Sequence, residues 1–201
     1  MMGKTVIIDY GAGNLMSVTN ALKYLGQESV ITSDTSEIER ADRIILPGVG
    51  AFPPAIKMIR DQGLEDVIKA QTVRKPFLGI CLGMQMLFDD SDETQLTTGL
   101  GMIHGHVSRI KTDLKLPHIG WNSLQFHNQS PILEGIDQGA YVYFVHSFAA
   151  YVDNEADLIA SCDYGGQVTA MVGTDHVFGC QFHPEKSGDV GLKMLKNFCR
   201  L

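Results

Sequence analysis

The sequence contains no long apolar segment and no excess of basic charge. None of its apolar runs approaches the roughly 20 residues that a membrane-spanning helix needs, so we expect no association with a membrane. Lys and Arg number 16 against 23 Asp and Glu, which gives a formal net charge of -7. Nucleic-acid-binding surfaces carry a basic footprint, so this balance argues against a nucleic-acid partner.

Cysteine is scarce, and its spacing matches neither a disulfide framework nor a zinc site. The four cysteines stand at positions 81, 162, 180 and 199, without a CxxC pair. Residues 1–4 run directly into an apolar segment and show no signal-peptide pattern. These features predict a cytoplasmic protein with reduced thiols. The sequence suggests no role for the last three cysteines.

The order of predicted elements indicates an α/β fold. In the first half, apolar strands at 5–9, 29–32, 43–46 and 77–80 alternate with helical segments, one of them at 82–88. Asn14 is the expected N-cap of the first helix. The second half shows strands at 107–110, 141–145, 158–162, 168–172 and 177–182 before a final helix at 188–200.

This order predicts a doubly wound, mostly parallel sheet that is flanked by helices and has antiparallel additions in the second half. The length of 201 residues suits one sizeable core and is short for two domains. No repeat or linker interrupts the sequence. We therefore expect a single domain over residues 1–201.

A cysteine stands at a predicted junction between a strand and a helix. Gly79-Ile80-Cys81-Leu82-Gly83 is the cysteine form of a nucleophile elbow, in which small residues flank a strained and crowded backbone. The N–H groups and dipole at the start of a helix lower the pKa of a thiol and so favour the thiolate. By this motif alone, Cys81 could equally be a small buried core residue.

A cysteine nucleophile needs a base and a third group that orients the base. Of the seven histidines, only His183 follows a predicted strand with a carboxylate close by, in the segment Gln181-Phe182-His183-Pro184-Glu185. Ligands of parallel α/β sheets bind beyond the carboxyl ends of the strands, where Cys81 and His183 would both lie. We predict that these two residues meet and that Glu185 orients the imidazole.

Two backbone segments are candidates for an oxyanion hole. The N–H of Leu82 would point to the place where an oxyanion develops. Pro47-Gly48-Val49-Gly50 offers a second donor, because its glycines allow a backbone N–H to face inward. An ordinary turn between strand and helix has the same pattern, so position alone leaves both interpretations open.

Taken together, the motifs around Pro47, Cys81 and His183 resemble the class I (triad) glutamine amidotransferases, which have a flavodoxin-like fold. Three further motifs resemble the glutaminase subunits of imidazole glycerol phosphate synthases in histidine biosynthesis. They are DYGAGN at 9–14, PHIGWN at 117–122 and YFVHSF at 143–148. The resemblance covers essentially the whole sequence.

The resemblance implies a role for each site residue. Cys81 attacks the side-chain amide of L-glutamine, His183 passes the thiol proton to the leaving ammonia, and Glu185 orients the imidazole, without a cofactor or a metal. The implied oxyanion donors belong to Val49, Gly50 and Leu82. The implied substrate contacts are Gln85, Glu93, His146, Ser147 and Phe148. Many relatives have a tyrosine at the last position, and its hydroxyl is missing here.

The resemblance also implies a partner. Ammonia would pass through a channel to a (β/α)8-barrel cyclase subunit, in a heterodimer that makes imidazole glycerol phosphate and aminoimidazole carboxamide ribotide. The implied interface residues are Asn14, Trp121, Tyr141 and Lys186. A subunit whose product feeds a partner is expected to be a poor glutaminase alone, and the peptide between residues 49 and 50 is the candidate gate.

Three other interpretations compete with this one. The chain could serve a different class I amidotransferase with the same triad, although the motifs at 117–122 and 143–148 favour the histidine pathway. It could be a binding module that has lost catalysis, although Cys81, His183 and Glu185 are intact. Finally, His104 and His106 could bind a metal ion, because alternation would place both side chains on one face of a strand. No third ligand with suitable spacing accompanies them, so two exposed histidines are expected.

Overall fold

A computed structural model describes residues 3–201, which form six helices and fourteen strands. The helices are α1 (Leu15–Tyr24), α2 (Thr35–Arg40), α3 (Phe52–Asp61), α4 (Glu65–Thr72), α5 (Leu82–Gln85) and α6 (Gly188–Phe198). The strands are β1 (Thr5–Ile8), β2 (Ser29–Thr32), β3 (Arg43–Gly48), β4 (Phe77–Cys81), β5 (Phe88–Ser91), β6 (Thr97–Thr98), β7 (Ile103–Arg109), β8 (His118–Ser123), β9 (Gln125–Phe126), β10 (Tyr141–His146), β11 (Phe148–Val152), β12 (Leu158–Asp163), β13 (Gln167–Thr174) and β14 (Val177–Cys180).

The main sheet has eight strands in the order β2-β1-β3-β4-β14-β13-β12-β9. Its first five strands are parallel, and the last three are added in antiparallel fashion. The parallel part has the 2-1-3-4-5 strand order of flavodoxin-like folds. The predicted doubly wound sheet with antiparallel additions is therefore confirmed.

Helices cover both faces of the parallel strands, and the side chains alternate between two apolar layers. Val6 and Ile8 of β1 belong to the layer beneath α2, α3 and α4, whereas Ile7 belongs to the layer with α1 and α6. A strand that is buried on both faces needs a continuous apolar run, and β1, β4 and β14 each have one. The carboxyl ends of these strands are thereby held in fixed positions.

Two smaller sheets are added to the main sheet. One has the order β11-β7-β5-β6, and the other is the antiparallel pair of β8 and β10. Along β10 exposed or half-exposed residues alternate with buried ones, as in a strand with one face on the core. Residues 145–148, where β10 passes into β11, form one wall of the pocket described below.

The structure differs from the sequence prediction in the elements on either side of Cys81. The helix predicted over 82–88 is wrong in its second half, because α5 ends at Gln85 and β5 begins at Phe88. Strand β3 continues through Pro47 to Gly48 instead of stopping at residue 46. Pro47 is tolerated there because β1 pairs with β3 only as far as Ile45, so no ladder bond needs its missing N–H.

The predicted end of β14 is also wrong, whereas the predicted N-cap of α1 is confirmed in its position. Strand β14 ends at Cys180 instead of residue 182, because the backbone N–H of His183 leaves the sheet and donates to the carbonyl oxygen of Tyr143 on β10 at 3.0 Å. Asn14 stands at the N-cap position of α1, but its side chain makes no capping hydrogen bond. Asp34 does cap its helix, α2, by accepting from two backbone N–H groups.

Candidate active site

Cys81 lies at the abrupt junction of β4 and α5 with a strained backbone. Its φ is +55° and its ψ is −113°, a conformation that non-glycine residues rarely adopt. The two glycines of the motif are explained by close backbone approach. A Cβ atom on Gly83 would lie 1.8 Å from the carbonyl oxygen of Leu46, and one on Gly79 would lie 2.7 Å from the carbonyl oxygen of Gly83. The tight packing of β3, β4 and α5 therefore presents the thiol at the strand end.

His183 and Glu185 form a buried pair beside Cys81. Their Nδ1 and Oε1 atoms are 2.8 Å apart, and the side chains are 3% and 0% exposed, so water does not weaken the interaction. Because Nδ1 is engaged by the carboxylate, Nε2 is the nitrogen available to the thiol. Burial alone would lower the pKa of His183, but hydrogen bonds with Cys81 and Glu185 outweigh burial and raise the pKa to about 9.

The position of His183 is fixed by contacts that the sequence analysis missed. Its carbonyl oxygen accepts a hydrogen bond of 2.6 Å from the hydroxyl of Ser187, and the same hydroxyl oxygen accepts from the backbone N–H of Tyr143 at 3.0 Å. Ser187 is 1% exposed and closes the 3-10 turn after Pro184. The only signal in the sequence was a serine at 187, two residues after Glu185.

A pocket of about 370 Å³ opens over Cys81. It is lined by the residues that follow β3, by the junction of β4 and α5, and by residues 145–148 where β10 passes into β11. The predicted oxyanion and substrate residues all line this pocket, and Glu185 lies behind His183. The complete lining is Val49, Gly50, Cys81, Leu82, Gln85, Glu93, Val145, His146, Ser147, Phe148 and His183.

Glu93 and Gln85 each have a structural bond in addition to their place in the lining. Glu93 Oε2 accepts from the backbone N–H of Phe52 at 2.7 Å, at the start of α3 and two residues after Gly50. The carboxylate thus compensates the positive end of that helix. Gln85 Nε2 donates to the carbonyl oxygen of Phe148 at 3.0 Å. Both bonds hold side chains of the pocket lining in place.

The predicted interface residues lie on the surface near the histidine motif. Trp121 and Tyr141 are 55% and 59% exposed, which is unusual for side chains of this size. The indole packs edge-on against Tyr143 with 6.2 Å between ring centroids. Lys186 is exposed and Asn14 is half-buried. The aromatic side chains stand on the pair of β8 and β10, and no element within residues 3–201 covers them.

His104 and His106 share the outer face of β7, as predicted, and each faces a carboxylate of β5. His104 Nδ1 is 3.2 Å from Asp89, and His106 contacts Asp90. Within residues 3–201 no group of three or more potential ligands is arranged to hold a metal ion. The three cysteines other than Cys81 are buried, and burial raises the pKa of each thiol.

The family model for class I glutamine amidotransferases matches residues 6–201. The chain belongs to this family of enzymes, which confirms the resemblance predicted from the motifs. The helices of residues 3–201 include none that is long and apolar enough to span a membrane.

Two curated relatives are named imidazole glycerol phosphate synthase subunit HisH. The protein from Caldanaerobacter subterraneus subsp. tengcongensis is 53% identical over 195 residues, which cover 96% of this chain and 95% of that protein. The protein from Bacillus cereus is 48% identical over 194 residues, which cover 96% of this chain and 92% of that protein.

Solved structures agree on the fold. PurLQS from Thermotoga maritima superimposes with a TM-score of 0.79 at 20% identity, covering 100% of this chain and 99% of that chain. Another structure, described as a glutamine amidotransferase, gives a TM-score of 0.75 at 21% identity, covering 96% and 98%. These neighbours support the fold class alone.

Proposed function

We propose that the chain is the glutaminase subunit of an imidazole glycerol phosphate synthase. It would hydrolyse L-glutamine to glutamate and ammonia for a (β/α)8-barrel cyclase subunit. One observation carries the proposal: a thiol on a strained backbone and a buried imidazole–carboxylate pair meet at one pocket of about 370 Å³. The identity of 48–53% to HisH subunits supports this particular synthase.

The chemistry follows from the charges of the site. With the pKa of His183 raised to about 9, the imidazole carries a proton at neutral pH and can stabilise a thiolate at Cys81. The thiolate adds to the amide carbon, His183 gives its proton to the departing nitrogen, and ammonia leaves a glutamyl thioester. His183 then takes a proton from a water molecule, whose oxygen attacks the thioester carbon. Glutamate is released, and Cys81 and His183 return to the thiolate and imidazolium forms. Glu185 holds the imidazole in place throughout.

The oxyanion of each tetrahedral intermediate needs donors on the pocket side of the thiol. We assign this role to the N–H of Leu82 at the start of α5 and to one N–H of the peptide segment formed by Val49 and Gly50. Gly50 has a φ of +101°, which a residue with a side chain would rarely adopt. The segment can therefore rearrange without a steric penalty from a side chain at this position.

The glutamine substrate would be held across the pocket. Glu93 uses Oε2 for the start of α3, which leaves Oε1 for the substrate ammonium group. Gln85, His146 and the backbone around Ser147 and Phe148 line the opposite side. The phenyl ring at 148 offers no hydroxyl, so substrate contacts there come from the backbone.

The partner would dock on the face that carries Trp121 and Tyr141, with Lys186 and Asn14 at its edge. Exposed aromatic side chains on a rigid strand pair are the typical anchors of protein interfaces. Ammonia would pass into the barrel without entering bulk water. The single domain over residues 1–201, the cytoplasmic location and the absence of a cofactor stay predictions.

The proposal is tested by mixing the chain with a candidate cyclase subunit and measuring glutamate release and ammonia transfer to the cyclase product. We expect slow glutamate release by the free chain and a large increase when the cyclase and its nucleotide substrate are present. Fast release by the free chain would contradict gating. Stimulation by a different synthase, and not by the cyclase, would assign the chain to another class I amidotransferase.

A further inference from the structure

Buried polar groups behind the pocket form a continuous set of hydrogen bonds that begins on β8. Asn122 Nδ2 lies 3.3 Å from His118 Nε2, and His118 Nδ1 lies 3.0 Å from His146 Nε2. His146 Nδ1 in turn lies 2.8 Å from the carbonyl oxygen of Phe148. These bonds cross from β8 to β10 and reach the wall of the pocket.

The set continues from that carbonyl oxygen to the sulfur of Cys81. Phe148 O also accepts from Gln85 Nε2 at 3.0 Å. The same Nε2 donates to Gln181 Oε1 at 2.9 Å, and Gln181 Nε2 donates to Cys81 Sγ at 3.7 Å. Gln181 is 0% exposed and does not line the pocket, so it has no contact with a bound substrate.

The carbonyl oxygen of Phe148 determines which atom donates in each hydrogen bond between Asn122 and Phe148. A carbonyl oxygen can only accept, so the hydrogen of His146 is on Nδ1 and its Nε2 accepts from His118. The hydrogen of His118 is then on Nδ1, and its Nε2 accepts from the amide of Asn122. Burial lowers the pKa of both histidines to about 4, so both rings are neutral at pH 7 and each has this one tautomer.

The same reasoning fixes the group that faces the nucleophile. The carbonyl oxygen of Phe148 requires the amide nitrogen of Gln85 to point toward it, and that nitrogen also donates to Gln181. Gln181 must then present its oxygen to Gln85 and its NH2 group to the sulfur. A hydrogen-bond donor aimed at Cys81 stabilises the thiolate relative to the thiol.

We propose that this network is a positioning device for the nucleophile and keeps an amide N–H directed at its sulfur. Its members are Asn122, His118, His146, the carbonyl group of Phe148, Gln85 and Gln181. Gln181 and His118 act through other groups and are positioning residues for the reaction, whose identity rests on the proposed function.

The first test replaces Gln181 by methionine, which has a similar shape and no amide. The pH dependence of Cys81 alkylation by iodoacetamide is measured on the free chain, with peptide mapping to separate Cys81 from the other cysteines. Loss of the donor should raise the midpoint of this profile by about one pH unit. In the complex with the cyclase, kcat for glutamine should fall about tenfold while KM changes less than about twofold.

The matched control is Gln71→Met. Gln71 is also a buried glutamine, 7% exposed, but it lies in α4 and outside the pocket. This variant should keep the wild-type alkylation profile and kcat. An unchanged alkylation midpoint in Gln181→Met would overturn the role of the amide donor. Equal shifts in both glutamine variants would overturn it too, because any buried glutamine would then have the same effect.

The second test uses a pair of variants at His118. His118→Phe keeps a ring that can stack on Phe144 and Tyr164 but has no donor for His146, whereas His118→Asn places an amide donor near the former Nδ1. We expect about a fivefold loss of kcat in the first variant and recovery of most of it in the second, because one buried neutral hydrogen bond is lost and restored. Equal losses in both variants would overturn the network.

Failure of the proposed function is distinguishable from failure of the network. If the wild-type chain releases no glutamate with the cyclase, the proposed function falls. The alkylation profile of the free chain still measures the state of the Cys81 thiol in that case. If the wild-type complex is active and Gln181→Met has the wild-type alkylation profile and kcat, the network alone is refuted.

Discussion

The parallel strands and the pair of β8 and β10 meet at the same pocket but are built differently. Strands β4 and β14 are buried along their whole length, with a helix layer on each face. Along β10 every second residue is buried, and its partner strand exposes Trp121. The fully packed region holds Cys81 on a strained backbone. The half-exposed region supplies a pocket wall on one face and a free aromatic surface on the other.

This difference separates two requirements. A strained residue persists only when the surrounding packing determines its conformation, and the parallel region provides that packing. A surface that binds another protein must stay accessible, which the antiparallel pair allows. Substitutions in the first region should therefore change chemistry and stability, and substitutions on the outer face of the second should change association.

The largest effect is expected from Cys81→Ser in the packed region. A serine hydroxyl is not ionised by a neighbouring imidazolium, so glutamate release by the complex should fall at least about a thousandfold. The variant should bind the cyclase like the wild type, because the side chain is 8% exposed and lies inside the pocket. Retention of more than a tenth of the wild-type rate would refute Cys81 as the nucleophile.

The next effect is a loss of stability in Gly83→Ala. Its Cβ atom would lie 1.8 Å from a backbone oxygen of β3, which cannot move aside as a flexible side chain would. We expect the free energy of unfolding in urea to fall by about 3 kcal/mol or more. Gly120→Ala on β8 is the comparison, since nothing lies within 4 Å of its Cβ position and only its φ of +133° opposes the change. Equal losses would contradict the role of close packing.

A smaller effect, confined to association, is expected from Trp121→Ala. If Trp121 anchors the proposed interface, its removal should weaken binding to the proposed cyclase partner by about 2 kcal/mol, or roughly thirtyfold in Kd, measured by calorimetry. The free energy of unfolding of the isolated chain should change by less than about 0.5 kcal/mol. Tyr24→Ala is the control, because Tyr24 is 79% exposed at the far end of α1. If both variants lose the same affinity, the assigned interface is wrong.

A gradual effect is expected in the pH dependence of stability. Burial lowers the pKa of His118 and His146 to about 4, from 6.5 in an unfolded chain, so the unfolded state binds more protons between these values. Stability should fall as the pH drops from 6.5 toward 4, by up to about 1.4 kcal/mol per pH unit for each histidine. In His118→Phe the slope of urea-unfolding free energy against pH should be shallower. An unchanged slope would contradict burial of a neutral ring.

His183 in the packed region should show the opposite sign. Its pKa in the folded chain is raised to about 9 by Cys81 and Glu185, which outweigh burial. Its contribution to stability is therefore fully present below pH 6.5 and is lost as the pH rises through 9. Glu185→Gln should reduce this alkaline loss, measured as the unfolding free energy between pH 7 and 10. A variant with the full wild-type slope would indicate that the carboxylate does not hold the proton.

The sequence predicted the buried parallel strands well and the segment after Cys81 less well. Continuous apolar runs predicted the buried parallel strands closely, and the glycines around Cys81 predicted the junction with α5. The same apolar character misled beyond Gln85, where buried residues 86–88 suit a helix or a strand equally well and only pairing with β7 decides. Pro47 led to a predicted strand end at residue 46. The sequence does not show that β1 has stopped pairing with β3 at that point, so that the missing N–H of the proline costs no hydrogen bond.

The network of buried polar groups was not predicted, for a physical reason. Gln181 and Gln85 are 96 residues apart in sequence, and His118 and His146 are 28 apart, so only the folded chain shows which of them meet. Buried polar side chains also leave no apolar periodicity in the sequence from which their burial could be predicted. The residues of the pocket lining were assigned through a family resemblance, whereas their bonds to one another required coordinates.

The pairing of β4 with β14 has a consequence for synthesis of the protein. Phe77 pairs with Val177 and Ile80 with Cys180, so one edge of β4 has no partner until about a hundred further residues have left the ribosome. An unpaired apolar strand edge is prone to association with other chains, and chaperones have reason to bind it during this interval. The thiol also has no imidazole beside it until residue 183 is made. A growing chain on the ribosome therefore cannot consume glutamine before nearly all of these strands are in place.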